Sequence, residues 1–428
     1  MSSIVESSHC DEETSKNSRF DERLKLYLDA VNCRPIDRVF MTPLIGALPV
    51  FLYGEEMGVS VQDALMNPES CIDLYVRYHE EYQPDLACGP ESMLPACAAE
   101  IMGTRFARWP GKHMSNPNAM FQIVDTEYMK VDEYEEYIDD PTGFMIRKIL
   151  PRHHEALESL SMVDLSQAVF HASYYSMIPF ALSPVKKALS VMSEAGDVML
   201  GITHTLNEYR KRMELAGWPN NADLVASVPF DLFNDTLRGM TATFYDILEC
   251  PELLERAVEK STRIAVRGLK EAMARQKPRT VHFYLHNGTD IFMSRNQFLR
   301  FYWPGLKAMV ECVAEFGGIA KVVTEDKYDA KLDILATLPK GHTIIQLVNS
   351  DLELAKRTFS GKVCFSGGVD ASLLAYGTVE QVIENVKETL DICTPGGGYI
   401  LDVSAALDLG KPENLRAMFE TAREYQVR

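Results

Sequence analysis

Long apolar runs are missing from this sequence of 428 residues, and no stretch approaches the roughly 20 apolar residues that a helix needs to cross a bilayer. Residues 1–23 have neither the basic start nor the apolar stretch of a secretory signal. Basic residues are also few: 43 Lys and Arg stand against 61 Asp and Glu, which gives a formal net charge of −18. A nucleic-acid binder is therefore disfavoured, because phosphate binding requires a basic surface.

Cysteine pairs with metal-binding or redox spacing are absent as well. The nine cysteines lie far apart, and none forms a Cys-x-x-Cys pair. An odd number of scattered cysteines argues against a disulfide framework and favours a reducing, cytoplasmic location. The chain also lacks the GxGxxG, GxxxxGK[ST], HExxH and GxSxG motifs. Nucleotide binding, phosphoryl transfer and triad hydrolysis therefore have no support in the sequence.

The sequence does contain a regular alternation of short apolar runs with amphipathic segments. Amphipathic stretches such as 296–315 and 379–392 separate the later runs, and this alternation predicts a parallel sheet. Eight such units favour a closed α/β barrel, the (β/α)8 TIM barrel, over an open doubly wound sheet. The predicted strands are Val39–Pro43, Asp85–Cys88, Leu224–Val228, Val281–Leu285, Ala320–Val323, Thr343–Gln346, Lys362–Phe365 and Tyr399–Leu401.

The region 104–220 interrupts this alternation. It contains an acidic patch at 132–140 and then a long helical stretch, roughly 183–217. We predict that it is a helical insertion between the second and third strands of a barrel formed by 19–428; a separate small domain is the alternative. Residues 1–18 are polar and without apolar periodicity, which predicts a disordered tail, and an amphipathic helix is predicted over 20–32.

The carboxyl ends of the strands are where a TIM barrel places its reactive side chains. The residues that follow the predicted strands are therefore the candidate site, and most of them are acids. Clustered acids can raise one another's pKa, bind a cation or hold a hydroxylated or cationic ligand. The candidates are Glu91, Asp231, Asp235, His286, Asn287, Asp290, Glu325, Asp370 and Asp402.

Structural roles for these residues stay open at this point. His286 ends an apolar strand and is either a general acid/base or ligand, or a buried histidine bonded to a backbone carbonyl. Asp370 follows two glycines and is typical of a helix N-cap, and Glu325 can also precede a helix as a cap. Asp231 and Asp235 either bind substrate hydroxyls or cap the following helix.

Three stretches in the C-terminal half resemble the uroporphyrinogen decarboxylase superfamily. They are residues 365–370 (FSGGVD), 396–401 (GGGYIL) and 303–307 (WPGLK), and the resemblance covers 220–428 well and 34–100 weakly. It implies a TIM-barrel enzyme. Members include tetrapyrrole decarboxylases and zinc methyltransferases that move methyl groups between corrinoid proteins and thiols; cobalamin-independent methionine synthases are more distant relatives with the same barrel.

Departures from the family pattern narrow the function. The decarboxylase has an arginine-rich motif after its first strand, whereas residues 42–47 contain no arginine to bind a poly-carboxylate substrate. The zinc methyltransferases use a His-x-Cys pair after the fifth strand and a Cys after the eighth. In this chain Glu325 stands after the fifth strand. After the eighth strand the chain has Asp402 and then Ser404, with no cysteine. If zinc is bound, its ligands would be Glu325, His286 and Asp402.

The resemblance therefore implies a methyltransferase and not the haem-pathway decarboxylase. It would move a methyl group between a small-molecule donor and a corrinoid protein or other acceptor, in C1 or demethylation metabolism. Two alternatives stay open: a decarboxylase or lyase acting on a tetrapyrrole or other carboxylated substrate, and a non-catalytic ligand- or corrinoid-binding protein. Barrels of this family often pair, so a homodimer is considered, although the sequence identifies no interface.

The roles expected for the candidate residues follow from that reading. Glu325, His286 and Asp402 are predicted to be catalytic, because they could protonate a leaving group or hold a metal. The predicted substrate-binding residues are Glu91, Asp231, Asp235, Asn287, Asp290 and Asp370.

Overall fold

The fold is that of a computed structural model of the chain, which describes residues 18–166, 168 and 172–427. All but the last residue of the tail predicted over 1–18 therefore lies outside the described residues. Residues 18–31 are helical, close to the predicted helix over 20–32. No helix in the described part of the chain is both long and apolar enough to span a bilayer.

Six parallel strands form the central sheet, and they lie side by side in the order in which they occur along the chain. A separate antiparallel hairpin within the predicted insertion precedes them, formed by β1 (Ala107–Arg108) and β2 (Gln122–Ile123). The predicted strands three to eight are thus confirmed, although the third is shorter than predicted. The six strands are β3 (Leu224–Val225), β4 (Thr280–Leu285), β5 (Ile319–Thr324), β6 (Thr343–Leu347), β7 (Cys364–Val369) and β8 (Tyr399–Val403).

The first two predicted strands, over 39–43 and 85–88, form single bridges instead of full ladders. Met41 bridges Leu401 of β8, and Ala87 bridges Asn220 just before β3, both in parallel. Between them, the amide of Asp85 donates to the carbonyl of Met41 over 2.8 Å. Pro43 ends the first segment, Pro84 precedes the second, and Pro219 precedes the bridge partner Asn220; proline lacks the N–H that a longer ladder needs.

These bridges connect the two edges of the six-stranded sheet. The amide of Leu401 donates to Phe40 over 2.8 Å, and the amide of Ala87 donates to Pro219 over 2.8 Å. Extended segments at 40–42 and 85–87 thus lie between β8 and the chain that enters β3. The fold is mixed α/β and TIM-barrel-like, with six assigned strands and two bridging segments.

Helices surround the sheet and make up most of the insertion. The long helix predicted over 183–217 is confirmed as Ser183–Leu215. The division of the chain into a barrel and an insertion stays a prediction. The other α-helices are Leu48–Met57, Val61–Met66, Ile72–Tyr82, Ala96–Met102, Tyr134–Asp139, Pro141–Phe144, Leu150–His153, Ala172–Tyr175, Ile178–Ala181, Pro229–Leu232, Met240–Glu249, Pro251–Gln276, Arg295–Gln297, Trp303–Glu315, Leu332–Leu335, Leu352–Phe359, Ala371–Tyr376, Val379–Cys393 and Pro412–Glu424.

Shorter helical turns complete the connections. Three of them have π-helical geometry: Met145–Ile149, Phe233–Leu237 and Phe298–Tyr302. The 3-10 turns are Pro68–Cys71, Pro90–Ser92, Val131–Glu133, Glu155–Met162 and Asp329–Lys331.

The N-terminal helix covers the end of the sheet at which the strands begin. Tyr27, Ala30 and Val31 pack in one buried cluster with residues at the starts of β5 to β8, and the hydroxyl of Tyr27 lies 3.1 Å from that of Thr280 at the start of β4. Apolar packing therefore covers much of this end. At the opposite end, where the strands finish, the loops carry the polar candidates.

A buried ion pair crosses the interior of the sheet. Nζ of Lys321 on β5 lies 3.0 Å from Oδ2 of Asp402 on β8, and both side chains are inaccessible to solvent. Strands β5 and β8 are not neighbours in the sheet, so their side chains can meet only if the sheet curls round. Asp402 also accepts hydrogen bonds from Ser366 and from the amides of Leu44 and Val403.

This ion pair is expected to be needed for stability. Replacement of one partner leaves a buried charge without compensation, so Lys321→Met should lower the free energy of unfolding by about 3–5 kcal/mol. The double variant Lys321→Met with Asp402→Leu should recover part of that loss. Urea unfolding measures both, with Lys307→Met as a control at an exposed lysine. A loss for Lys321→Met no larger than the control's would contradict a structural role for the pair.

Candidate functional site

His286 and Asp235 meet at the end of the sheet where the strands finish. His286 directly follows β4, and Asp235 lies in the π-helical turn Phe233–Leu237, which continues the helix begun at Pro229. Nδ1 of His286 is 2.5 Å from Oδ2 of Asp235. The ring of His286 thus bonds a carboxylate, and the carboxylate of Asp235 bonds the side chains of His286 and Asn287. The roles predicted for the two residues stay predictions.

Glu325 faces the other ring nitrogen of His286. Its Oε2 is 3.8 Å from Nε2 of His286, and both side chains are close to half exposed. A separation of 3.8 Å is too long for a hydrogen bond. The Nε2 side of the ring is therefore reachable by a small molecule, while the Nδ1 side is occupied by Asp235.

Asp231 lies behind this pair and is nearly inaccessible to solvent. Its Oδ2 accepts a 2.6 Å hydrogen bond from the hydroxyl of Tyr302 and a 3.3 Å bond from the backbone amide of His286. Asn287 donates to Oδ1 of Asp231 over 3.4 Å and to Oδ1 of Asp235 over 3.1 Å. Asp231 and Asn287 thus support the turn that holds His286 and Asp235.

Gly288 lets this turn lie close to the aromatic side chains beneath it. A Cβ at this position would come within 2.8 Å of the hydroxyl of Tyr328 and 3.1 Å of the rings of Phe298 and Tyr302. A larger residue would therefore push the turn outward. His286 and Asn287 would move with it, since they immediately precede Gly288.

The charges around His286 favour its protonated form. Burial alone lowers the pKa of His286, but the hydrogen bond and charge of Asp235, with the charges of Asp231 and Glu325, overcome burial and raise the pKa to about 9. Burial raises the pKa of Asp231 to about 7 against the opposing effect of His286. Burial also raises the pKa of Glu325, while the His286 charge lowers it. At neutral pH the site therefore contains a cationic imidazole between carboxylates.

Glu91 faces an arginine from the long helix of the insertion. Its Oε1 is 3.3 Å from Nε of Arg210, which lies on the helix Ser183–Leu215. Burial raises the pKa of Glu91, and the charge of Arg210 opposes this. Burial raises the pKa of Tyr284 on β4, and the charges of Glu91, Glu325 and Asp402 raise it further. The insertion thus reaches the same end of the sheet as the other candidates.

The remaining predicted residues have partners of their own. Asp402 is held by Lys321, and its hydrogen bonds in the described chain do not reach His286 or Glu325. Asp290 is 3.1 Å from Nζ of the buried Lys331. Asp370 accepts from the amide of Ser372 and caps the helix Ala371–Tyr376, as its pattern favoured. The structure thus brings together His286 and Glu325 of the predicted catalytic trio, with Asp402 apart from them.

Part of the chain matches a known family. Residues 224–425, just under half of the chain, match the family described as uroporphyrinogen decarboxylase (URO-D). This range contains β3 to β8 and the side chains of Asp231, Asp235, His286, Asn287 and Glu325. The match supports a relationship of this part of the chain to the uroporphyrinogen decarboxylase-like superfamily.

One solved structure shares the fold over nearly the whole chain. The chain resembles a methyltransferase from Methanosarcina mazei with a TM-score of 0.61 and 15% identity, over 95% of this chain and 98% of that one. It also matches a B12-independent methionine synthase from Shewanella sp. W3-18-1, determined with selenomethionine, at a TM-score of 0.32 and 13% identity over 46% of this chain and 59% of that one. No curated protein sequence matches the chain.

Zinc bound as in the zinc methyltransferases of the uroporphyrinogen decarboxylase-like superfamily does not fit the donors found here. Thiolates are missing from the positions after β5 and β8, and Lys321 neutralises Asp402. Within residues 18–427, omitting 167 and 169–171, no three His, Cys, Asp or Glu side chains are grouped to hold a metal ion. Lys321 was not among the sequence candidates, because a lysine in the middle of an apolar strand gives no signal of a partner three strands away.

Other residues of the site were also missed by sequence reasoning. Tyr302, Arg210 and Lys331 each contact a predicted acid, yet all three come from helical segments outside the strand ends. The rule that searches strand ends therefore finds the acids of this chain and overlooks the side chains that balance their charge. A search for cationic and hydroxyl side chains on the helices that follow each strand would have found them.

The Asp235 carboxylate is predicted to hold the proton on His286. Burial lowers the pKa of His286, and Asp235→Asn removes one of the carboxylates that oppose this effect. The pKa of His286 should therefore fall by about one unit or more from its value of about 9. NMR titration of the histidine ring signals measures this, with His286→Gln used to assign the signal. Asp326→Asn, which removes a neighbouring carboxylate that bonds Asn349, is the matched control. A titration of His286 that is the same in both variants would show that Asp235 does not set its pKa.

Proposed function

We propose that this protein is a methyltransferase in which the imidazolium of His286 protonates the leaving group of a methylated small molecule. The observation that supports this is the pairing of His286 with Asp235 through Nδ1, with Nε2 left accessible opposite Glu325. A protonated histidine held in this way has a fixed orientation and presents its Nε2 proton to a small molecule on that side of the ring.

The proposed step balances as follows. The proton on Nε2 of His286 passes to the oxygen of a methyl ether, or to the nitrogen of a methylamine, as its bond to the methyl carbon breaks. The acceptor nucleophile supplies the electron pair for the new bond to the methyl carbon. The products are the free alcohol or amine, the methylated acceptor and a neutral His286, which then regains a proton from water.

The other residues are proposed to position these groups. Asp235 stabilises the imidazolium before transfer, and Asp231 with Asn287 keeps the turn in place through the contacts described above. Glu325 lies beyond hydrogen-bond reach of His286, so a substrate heteroatom between them can contact both. Glu91 and Arg210 are proposed to line the same opening from the insertion.

A corrinoid protein is the acceptor that we propose. The match of residues 224–425 to the uroporphyrinogen decarboxylase family supports this choice, and the fold shared with a methyltransferase is compatible with it. A reduced corrinoid on such a partner would supply the electron pair that methyl transfer needs. No zinc is included in the proposal, because the thiolate ligands are replaced here.

Loss of His286 should slow methyl transfer strongly. General acids contribute about 10²–10⁴-fold, so His286→Gln should lower kcat/KM by a factor in this range. Glu325→Gln should have a smaller effect, because Glu325 is proposed to orient the substrate. The assay follows product formation from a panel of methyl ethers and methylamines with a reduced corrinoid protein. Matched controls are His342→Gln and Glu353→Gln, which lie at the start of β6 and on an exposed helix.

Unchanged rates in both His286→Gln and Glu325→Gln would remove this cluster from the mechanism. Release of carbon dioxide from a carboxylated substrate, in place of methyl transfer, would instead favour the decarboxylase alternative. Saturable ligand binding without turnover would favour the non-catalytic one.

The rate should also depend on pH through His286. The raised pKa of about 9 means that His286 carries its proton at neutral pH and loses it as the pH rises through about 9. We therefore expect kcat/KM of the wild type to fall above about pH 9. In Asp235→Asn the fall should begin at lower pH. An alkaline limb at the same pH in both proteins would mean that a different group is the acid.

A further inference from the structure

A polar cleft lies at the end of the sheet where the strands begin. It is bordered by the helix Ser183–Leu215, by the end of the helix Pro251–Gln276 and by the residues that lead into β3 and β4, and its volume is about 620 Å³. Small-molecule sites commonly have volumes of about 300–1,000 Å³. Arg279 on its wall directly precedes β4 and His286 directly follows this strand, so the two residues are about 20 Å apart at about 3.3 Å per residue. The cleft is therefore separate from the candidate site.

Positive charge is concentrated around this cleft, although the chain as a whole has a net charge of −18. Four of the side chains that line it are cationic and two are acidic. One of the cations, Arg210, is already paired with Glu91. The other three form no ion pair with any residue that the structure describes. These three cations are Arg275, Lys277 and Arg279, and the two acids are Glu214 and Asp223.

Amide groups hold the two acids in place. Oδ2 of Asp223 accepts hydrogen bonds from the backbone amides of Arg279 and Thr280, over 2.7 and 3.0 Å. Oε1 of Glu214 accepts a 3.2 Å hydrogen bond from Nδ2 of Asn220. Within the described part of the chain, neither carboxylate forms an ion pair. The acids therefore fix the start of β4 and the wall of the cleft, and they leave its cations without a bound counter-charge.

Arg279 is the cation whose need for a counter-charge is clearest. Its Cζ lies 5.9 Å from the centre of the Phe20 ring, and its side chain is partly buried. Nη1 is withdrawn from solvent without an acceptor, and the guanidinium makes no hydrogen bond with residues 18–166, 168 or 172–427. A charged donor that is withdrawn from water without a partner is destabilising. An anion in the cleft would compensate the charge of this guanidinium.

The end of the helix Pro251–Gln276 accounts for two of the three cations and not for the third. Arg275 lies in its last turn, and Lys277 caps it in the left-handed conformation with a φ of 50°. Cations are favoured at this end of a helix, because its last carbonyls carry partial negative charge. Arg279 lies beyond Pro278, outside the helix, and its guanidinium needs another source of negative charge.

We propose that this cleft binds the phosphate group of a small molecule. A phosphate carries a charge of about −1.5 to −2 at pH 7 and three strong acceptor oxygens, which suits three separate cations. A guanidinium also binds phosphate through two parallel hydrogen bonds. A single carboxylate has one charge and two oxygens, so it would leave more of the positive charge uncompensated.

The acids of the cleft indicate what else the ligand carries. Glu214 and Asp223 repel an anion, but their carboxylates can accept hydrogen bonds from hydroxyl groups. A phosphate ester with hydroxyls therefore fits the cleft better than a larger polyanion. Because the cleft is about 20 Å from His286, this proposal does not depend on the proposed function.

Titration calorimetry of the full-length protein at low ionic strength tests the proposal, with glycerol 3-phosphate, inorganic phosphate and acetate as probes. Glycerol 3-phosphate and phosphate should bind saturably, and acetate should bind much more weakly. Arg279→Gln should weaken phosphate binding by about 10-fold or more, because it removes a charged donor from the anion. Arg275→Gln, at an exposed position, should weaken it several-fold without affecting the melting temperature.

Arg263→Gln is the matched control. Arg263 lies on the same helix and pairs with Glu259, outside the cleft, so this variant removes the same charge and should bind phosphate as the wild type does. Tighter binding of glycerol 3-phosphate than of phosphate would identify an ester as the ligand, and the reverse would identify the free anion. Absence of saturable phosphate binding in the millimolar range would overturn the proposal. So would phosphate binding that both Arg279→Gln and Arg275→Gln leave unchanged, or acetate binding as tight as that of phosphate.

Discussion

A buried carboxylate needs a compensating partner, and this requirement determines how the acid-rich end of the sheet is organised. Each predicted acid that is withdrawn from water has a specific counter-group: Lys321 for Asp402, Arg210 for Glu91, Lys331 for Asp290, and Tyr302 with backbone amides for Asp231. These partners compensate the charge of most of the acids. Nε2 of His286 lies beyond hydrogen-bond reach of Glu325, and both side chains are close to half exposed. These two groups therefore remain available for chemistry.

The same pairs connect distant parts of the chain to one site. Lys321 and Asp402 hold β5 to β8 across the interior, while Arg210 brings the insertion to the loop that contains Glu91. Asp235 reaches His286 because the π-helical turn Phe233–Leu237 carries its side chain to the end of β4. The insertion therefore contributes Arg210 to the surroundings of the site.

Much of the architecture could be predicted because strand–helix alternation leaves a clear pattern of apolar runs. β4 to β8 were predicted to within a few residues, and the helix Ser183–Leu215 was found from its length and periodicity. The segments at 39–43 and 85–88 were predicted as strands, but prolines reduce them to single bridges. At the site, the strand-end rule found His286, Asp235 and Glu325. It placed Asp402 with them as well, because the sequence cannot reveal that Lys321, 81 positions away, would lie beside it. Partners of this kind depend on how the sheet curls, which is a property of the whole fold.

The account depends most on His286 carrying a proton on both ring nitrogens when the protein is at neutral pH. Neutron crystallography of deuterium-exchanged crystals at about pH 7 observes this directly. The account predicts deuterium on Nδ1, shared with Asp235, and on Nε2, directed towards Glu325. An imidazole with no deuterium on Nε2 would contradict it, since the ring would then have no proton to give to a leaving group.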